Sequence, residues 1–119
     1  MRLRRRKRSV YSWRHLCSTA EALDKLLQKY HVDYWSKLFS QLNEEIQRYA
    51  GQETVSPGML AVLRRLKAIY GGMGSFSDFS LDPRAGVKIS EGEQRAADKQ
   101  LYALRSTLYE IATQLETHP

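Results

Sequence analysis

The sequence predicts an all-α fold: a single, four-helix bundle-like domain with a glycine-rich ordered loop between its third and fourth helices. Three observations carry this. Apolar residues recur at helical spacing in four separate stretches. Capping or stop residues bound those stretches. No stretch of the chain alternates with the period of two that marks a half-buried strand. The length of 119 residues fits one domain, and a hydrophobic share of 42% is enough for a packed core.

The first helix is expected over about 19–30. Ser18 and Glu21 have capping-box spacing, and Leu23, Leu26, Leu27 and Tyr30 follow as an apolar stripe. A short connection, His31-Val32-Asp33, leads to the second helix, with Asp33 as its expected N-cap. That helix carries Trp35, Leu38, Phe39, Leu42, Ile46 and Tyr49, and Gly51 stands where a left-handed stop belongs. Ser56 and Pro57 open the third helix, since proline in a first turn forfeits no hydrogen bond. Met59, Val62, Leu63, Leu66, Ile69 and Tyr70 line one face, and Gly71 and Gly72 are expected to end it in a left-handed conformation. Ser90 and Glu93 form another capping-box pair ahead of a long fourth helix, about 91–116. Its stripe, Ala97, Leu101, Leu104, Leu108, Ile111 and Leu115, has heptad spacing. Such a seam serves either the core of one chain or a homodimer through helix 4.

The net charge of +6 is concentrated at one end. Residues 2–8 read RLRRRKR, and removing their six charges from 19 leaves 13 Lys and Arg against 13 Asp and Glu. Like charges repel, so residues 1–15 read as a basic, flexible arm and 16–119 as the helical domain. Arg4, Arg5, Arg6, Lys7 and Arg8 would make that arm a nucleic-acid-binding segment with salt-dependent, sequence-blind affinity. No apolar run approaches the roughly 20 residues of a membrane span, and no signal-peptide core follows the charged start. The expected location is the cytoplasm.

The stretch IYGGMGSFSDFSLDPRAG, residues 69–86, holds four of the seven glycines. A phosphate-binding P-loop needs a strand before it and a lysine after its last glycine; a helix precedes this stretch and Ser75 follows Gly74. Asp78 and Asp82 add negative charge that disfavours an anion nest. Phe76 and Phe79 are expected to turn inward as an aromatic plug, with Ser75, Ser77 and Asp78 satisfying backbone groups locally. Asp82-Pro83 begins a tight turn.

No motif for metal, cofactor or nucleophilic chemistry emerges. His31 and Asp33 lack a third nearby ligand. The lone Cys17 has no sequence partner for a disulfide framework and reads as a small buried apolar residue. Tyr102 and Tyr109 flank the helix 4 seam with Arg105 between them, a pairing enriched at protein interfaces.

Tyr70, Gly71, Gly72, Met73, Gly74, Ser75, Phe76 and Asp78 together resemble a signature shared by a family of small uncharacterised bacterial domains: a helix ending in Phe/Tyr-Gly-Gly-Met-Gly-Ser, two further residues, then Asp. The resemblance extends over about residues 20–116. It implies a bacterial source and a compact helical domain, with no catalytic activity or cofactor attached.

The functional expectation is therefore a non-catalytic domain that binds another protein, in the manner of an immunity or antitoxin protein. Its expected binding residues are Gly72, Met73, Gly74, Ser75, Phe76, Asp78, Tyr102, Arg105 and Tyr109. The alternative is a nucleic-acid binder acting through the arm. The third class is an enzyme whose site is assembled from residues distant in sequence.

Overall fold

Trp13, not a residue near position 19, opens the first helix. The computed structural model of the protein describes residues 10–71 and 75–117. The arginine-rich run Arg4–Arg8 and the loop residues Gly72, Met73 and Gly74 lie outside the described residues. Among the described residues there are four helices, α1 (Trp13–Lys29), α2 (Asp33–Gln47), α3 (Pro57–Ala68) and α4 (Glu91–Thr117), and no strand. The fold is all-α, as the spacing of apolar residues predicts.

The early start of α1 has a local cause. Ser12 is extended and sits at the N-cap. Its carbonyl accepts the amides of His15 and Leu16, and its own N–H donates to His15 Nδ1 at 2.9 Å. The His15 ring thus takes the part that glutamate plays in a capping box. Ser18 lies inside the helix, so the expected Ser18–Glu21 cap does not form; Glu21 pairs with Lys25 instead, at 3.1 Å. The expected arm–domain boundary at 15/16 consequently falls within α1. Trp13 is buried, donates its indole N–H to the Ile46 carbonyl at 2.8 Å and meets Tyr49 edge-on. This one side chain ties the start of α1 to the end of α2.

The end of α1 is a Schellman motif. The amide of Val32 donates to the Leu27 carbonyl and that of His31 to the Gln28 carbonyl. His31 occupies the left-handed position with φ +56°. Val32 and Leu27 are both buried, which supplies the apolar contact that accompanies the motif. Asp33 is the first residue of α2 rather than its cap; Val32 holds the cap position. There the carboxylate still favours the positive end of the helix dipole. Gly51, with φ +88°, makes the left-handed turn expected after α2. Ser56 caps α3 and Pro57 occupies its first turn, as expected.

α1 packs against α2 and α4, α2 against α3, and α3 against α4, closing a bundle. Leu16, Leu23, Leu27, Phe39, Ile46, Leu63, Leu66 and Leu108 are fully buried at its centre. The helix 4 stripe lies within this core: Ala97, Leu101, Leu108, Ile111 and Leu115 are buried and Leu104 packs partly buried against them. At 1.5 Å per residue α4 is about 40 Å long, the longest element of the bundle. Ion pairs join neighbouring helices, Arg65 to Glu45 at 2.7 Å and Lys67 to Glu116 at 2.9 Å.

One buried carboxylate interrupts the apolar α1–α2 contact. Asp24 accepts from the hydroxyls of Ser36 and Ser40 on α2 and from Gln28 on its own helix. A charge taken out of water needs such donors.

Candidate functional site: the loop and the cleft beside it

The loop after α3 folds back onto the helix it leaves. The Phe76 amide donates to the Ile69 carbonyl at 2.9 Å, and the hydroxyls of Ser75 and Ser77 donate to the Tyr70 carbonyl. Loop residues thereby satisfy the carbonyls of the C-cap, Ile69, and of the residue after it. Gly71 does not take the left-handed conformation expected of it: among the described residues, glycine has positive φ only at 51 and 86. The helix end is capped from further along the chain, so Gly71 needs no such turn.

Two short 3-10 turns give the loop its shape, Phe76–Asp78 and Pro83–Ala85. Asp82 caps the second by accepting the Arg84 amide at 2.9 Å, and Gly86, with φ +85°, ends it. The Arg84 guanidinium, paired with Asp82, holds that carboxyl below its ordinary range.

Phe76 is the aromatic plug that the sequence leads one to expect. It is fully buried, and its ring lies 4.8–6.3 Å from the rings of Phe39, Trp35, Tyr70 and Phe79. Phe79 is only partly buried; it stacks on Phe76 at an interplanar angle of 13°. From α4, Arg105 Nη1 donates to the carbonyls of Phe76 at 2.9 Å and Phe79 at 2.6 Å, and its guanidinium lies 5.6 Å from the Phe76 ring. Asp98, two turns earlier on α4, accepts the Leu81 amide at 2.6 Å. The fourth helix thus holds the loop at two points, one cationic and one anionic.

Beside this anchor the end of α3, the loop and α4 enclose an open cleft of about 490 Å³. α4 contributes Tyr102, Arg105, Ser106 and Tyr109, whose spacing of i, i+3, i+4 and i+7 places them on one face. α3 and its end contribute Lys67, Tyr70 and Gly71; the loop contributes Ser77. Tyr70 and Tyr109 meet at 4.9 Å, and Lys67 Nζ lies 5.3 Å from the Tyr109 ring. The Tyr70 hydroxyl donates to the Arg105 carbonyl at 2.8 Å. Burial pushes its phenol well above the ordinary range; the nearby Arg105 charge opposes the shift and Tyr109 adds to it.

The loop and the tyrosine strip, distant in sequence, meet in one place. Of the expected binding residues, Tyr102, Arg105 and Tyr109 line the cleft. Phe76 lies beneath the surface as packing, and Ser75 is engaged with the Tyr70 carbonyl. Asp78 is exposed on the first 3-10 turn, outside the cleft lining. Lys67 and Ser106 were missed. Their signal was available: Lys67 stands three residues before Tyr70 and Ser106 three before Tyr109, so each shares a helix face with an aromatic already singled out.

A second, shallower hollow between α1 and α2 has Asp24, Ser40 and Asn43 in its lining, and the buried Asn43 Oδ1 has no hydrogen-bond partner among the described residues. No group of three or more His, Cys, Asp or Glu side chains suited to a metal ion occurs among the described residues. Among the described residues, no helix is long and apolar enough to cross a membrane.

Comparison with known proteins places residues 20–90 in a single family model, described as a domain of unknown function, DUF6966. That span covers well over half of the chain. The chain belongs to the DUF6966 family. The matched segment runs from the middle of α1 through α2, α3 and both 3-10 turns, and stops just before α4. The Arg105 and Asp98 anchors therefore come from outside the matched segment. No curated protein and no solved structure matches the chain.

Proposed function

We propose that this DUF6966 chain is a non-catalytic binding module that engages another protein through the cleft between its loop and α4. The observation that carries this reading is the company of exposed aromatic and half-buried cationic side chains in a concave place. Tyr102 is 66% exposed and Tyr109 40% exposed, at the mouth of a cleft floored by Tyr70 and edged by Arg105. Tyrosine and arginine supply large contact area at low entropic cost and dominate interface hot spots. Elsewhere among the described residues the large exposed apolar side chains are Tyr34 and Val10, single residues of a kind that is ordinary on any domain.

The titratable groups of the cleft favour binding over chemistry. Its described walls hold no His, Cys, Asp or Glu. Its most buried phenol, Tyr70, is held protonated and committed to a backbone carbonyl. General acid–base catalysis near neutral pH needs a group that exchanges its proton there.

A photo-crosslinking amino acid placed at Tyr102 tests the reading in the native cell, with Lys37 on the exposed surface of α2 as the control position. The expected result is a discrete protein adduct at 102 that is absent at 37. Identical adduct patterns at both positions, or none at 102, would overturn it.

A further inference from the structure

The charge in the cleft walls points to the chemistry of the partner, an inference that rests on the binding role just proposed. We propose that the cleft docks an acidic segment of the partner protein bearing an aromatic side chain, with the carboxylates directed at Arg105 and Lys67 and the ring placed against Tyr102 and Tyr109.

Taken as a whole, the protein outside residues 2–8 is charge-balanced, with 13 Lys and Arg against 13 Asp and Glu. The cleft departs from this balance. Among the described residues, its only charged wall residues are the cations Lys67 and Arg105. Lys67 is partly compensated by Glu116 at 2.9 Å. Arg105 gives its Nη1 hydrogen bonds to two neutral carbonyls, which hold the guanidinium in place and leave its charge standing. A guanidinium already fixed by the fold loses little entropy when a carboxylate arrives. Ser106 adds an exposed hydroxyl one residue on. The Tyr109 ring already takes the Lys67 ammonium at 5.3 Å on one side and Tyr70 on another, so a partner ring reaches it from the open mouth, next to Tyr102.

A single-stranded nucleic acid fits the cleft less well. Such strands are held by a track of cations that follows the phosphates. Here the other two basic residues of α3 are paired, Arg64 with Glu116 and Arg65 with Glu45, so Lys67 and Arg105 form a pair of cations and not a track.

The test is a titration of the full isotope-labelled chain, followed by NMR, with three probes. One is a blocked Glu-Glu-Trp-Glu-Glu peptide, the second its Gln-for-Glu counterpart, the third a fifteen-residue deoxythymidine oligonucleotide. The expected result is that the acidic peptide shifts the resonances of Ser106 and Tyr109, more weakly as salt is raised, and that the Gln counterpart does so at least about fivefold more weakly, the effect of roughly 1 kcal/mol. Ser106→Glu, at an exposed helical position, should weaken the acidic peptide and Ser106→Lys strengthen it, with both variants folded as the parent. Equal binding of the acidic and Gln peptides, indifference to the two Ser106 variants, or shifts at the cleft with the oligonucleotide in place of the peptide would each overturn the proposal. A Tyr102 crosslinked partner that lacks an acidic docking segment would overturn this inference and leave the binding role standing.

Discussion

Arg105 Nη1 bridges the carbonyl oxygens of Phe76 and Phe79, at 2.9 and 2.6 Å, and so one side chain of α4 fixes both ends of the first 3-10 turn of the loop. Both bonds are only partly buried, so water can reach the acceptors once the donor is gone, and losing the two together should cost about 1.5–3 kcal/mol, the range of one fully buried bond to a charged donor. Arg105→Met should therefore lower the stability by roughly that amount in urea unfolding. Arg105→Lys should recover only part of it, because an ammonium on a shorter stem loses the contact of the flat guanidinium with the Phe76 ring. Amide exchange at residues 76–81 should accelerate in both variants. A loss within 0.5 kcal/mol for Arg105→Met would show that the loop is held by its aromatic packing alone.

Phe76 carries that packing. Its ring touches aromatic residues from α2, from the end of α3 and from the loop itself, at zero exposure. Phe76→Ala removes a fully buried ring and should cost about 3–5 kcal/mol. Phe79→Ala should cost clearly less, since that ring is only partly buried. Thermal or urea unfolding of the two variants gives the order, and the reverse order would contradict the assignment of Phe76 as the plug.

These two residues show how far the sequence could be read. Phe76 was recognisable as an inward aromatic because it stands in a turn-rich loop with Phe79 three residues on. Arg105 was recognisable as important but read as a free surface residue. Its partners are main-chain carbonyls 26 and 29 residues earlier, and carbonyls leave no mark in a sequence. Asp24 was hidden for a different reason: its partners are side chains, but Ser36 and Ser40 belong to the next helix and meet it only through the packing of α1 on α2. The interiors of α2, α3 and α4 were legible because their apolar spacing is helical. The start of α1 was not, because Arg14 and His15 lie on its exposed face and continue the basic look of the arm, while Trp13 and Leu16 turn inward. The joining of the loop to the tyrosine strip needed the packing of α3 on α4, which no local pattern encodes.

Tyr70 predicts a pH effect. Its folded phenol is held protonated above the ordinary value of about 10, chiefly by burial, while the unfolded phenol ionises near that value. A raised acid stabilises the fold fully below the unfolded value. That contribution is lost as pH rises past about 10 toward the folded value, because the unfolded state gains a charge that the folded state resists. The parent should therefore lose stability above pH 10 more steeply than Tyr70→Phe. At neutral pH the variant should be less stable by about 1 kcal/mol, from the lost bond to the Arg105 carbonyl. Urea midpoints at pH 7, 9 and 10.5 for both proteins measure the two effects, and parallel pH profiles would contradict the burial assigned to the phenol.

His31 predicts a stabilising substitution. It holds φ +56° at the left-handed position of a Schellman motif, and its side chain is exposed. A residue with a Cβ is strained there by about 1–2 kcal/mol, and glycine is not. Part of the gain is returned through the greater freedom of glycine in the unfolded chain. His31→Gly should raise the stability by about 0.5–1 kcal/mol. His31→Val, whose branched Cβ tolerates this region worst, should lower it. Both are read from urea midpoints, and a loss of stability in His31→Gly would mean that the imidazole makes a contact worth more than the strain.

Tyr102 and Tyr109 look alike in the sequence, seven apart on one helix face, yet the structure separates them. Tyr109 meets Tyr70 at 4.9 Å and takes the Lys67 ammonium on its ring, so it belongs partly to the packing between α3 and α4. Tyr102 is 66% exposed and stands clear at the mouth of the cleft. Tyr109→Ala should cost about 1 kcal/mol or more, counting an aromatic pair and a cation–π contact. Tyr102→Ala should stay within about 0.5 kcal/mol of the parent, as exposed positions do. If the cleft is the binding site, Tyr102→Ala should weaken partner binding at unchanged stability, which no packing role could produce. Urea unfolding and partner titration on the same two variants separate the two contributions, and a Tyr102→Ala protein that binds its crosslinked partner as tightly as the parent would remove this tyrosine from the site.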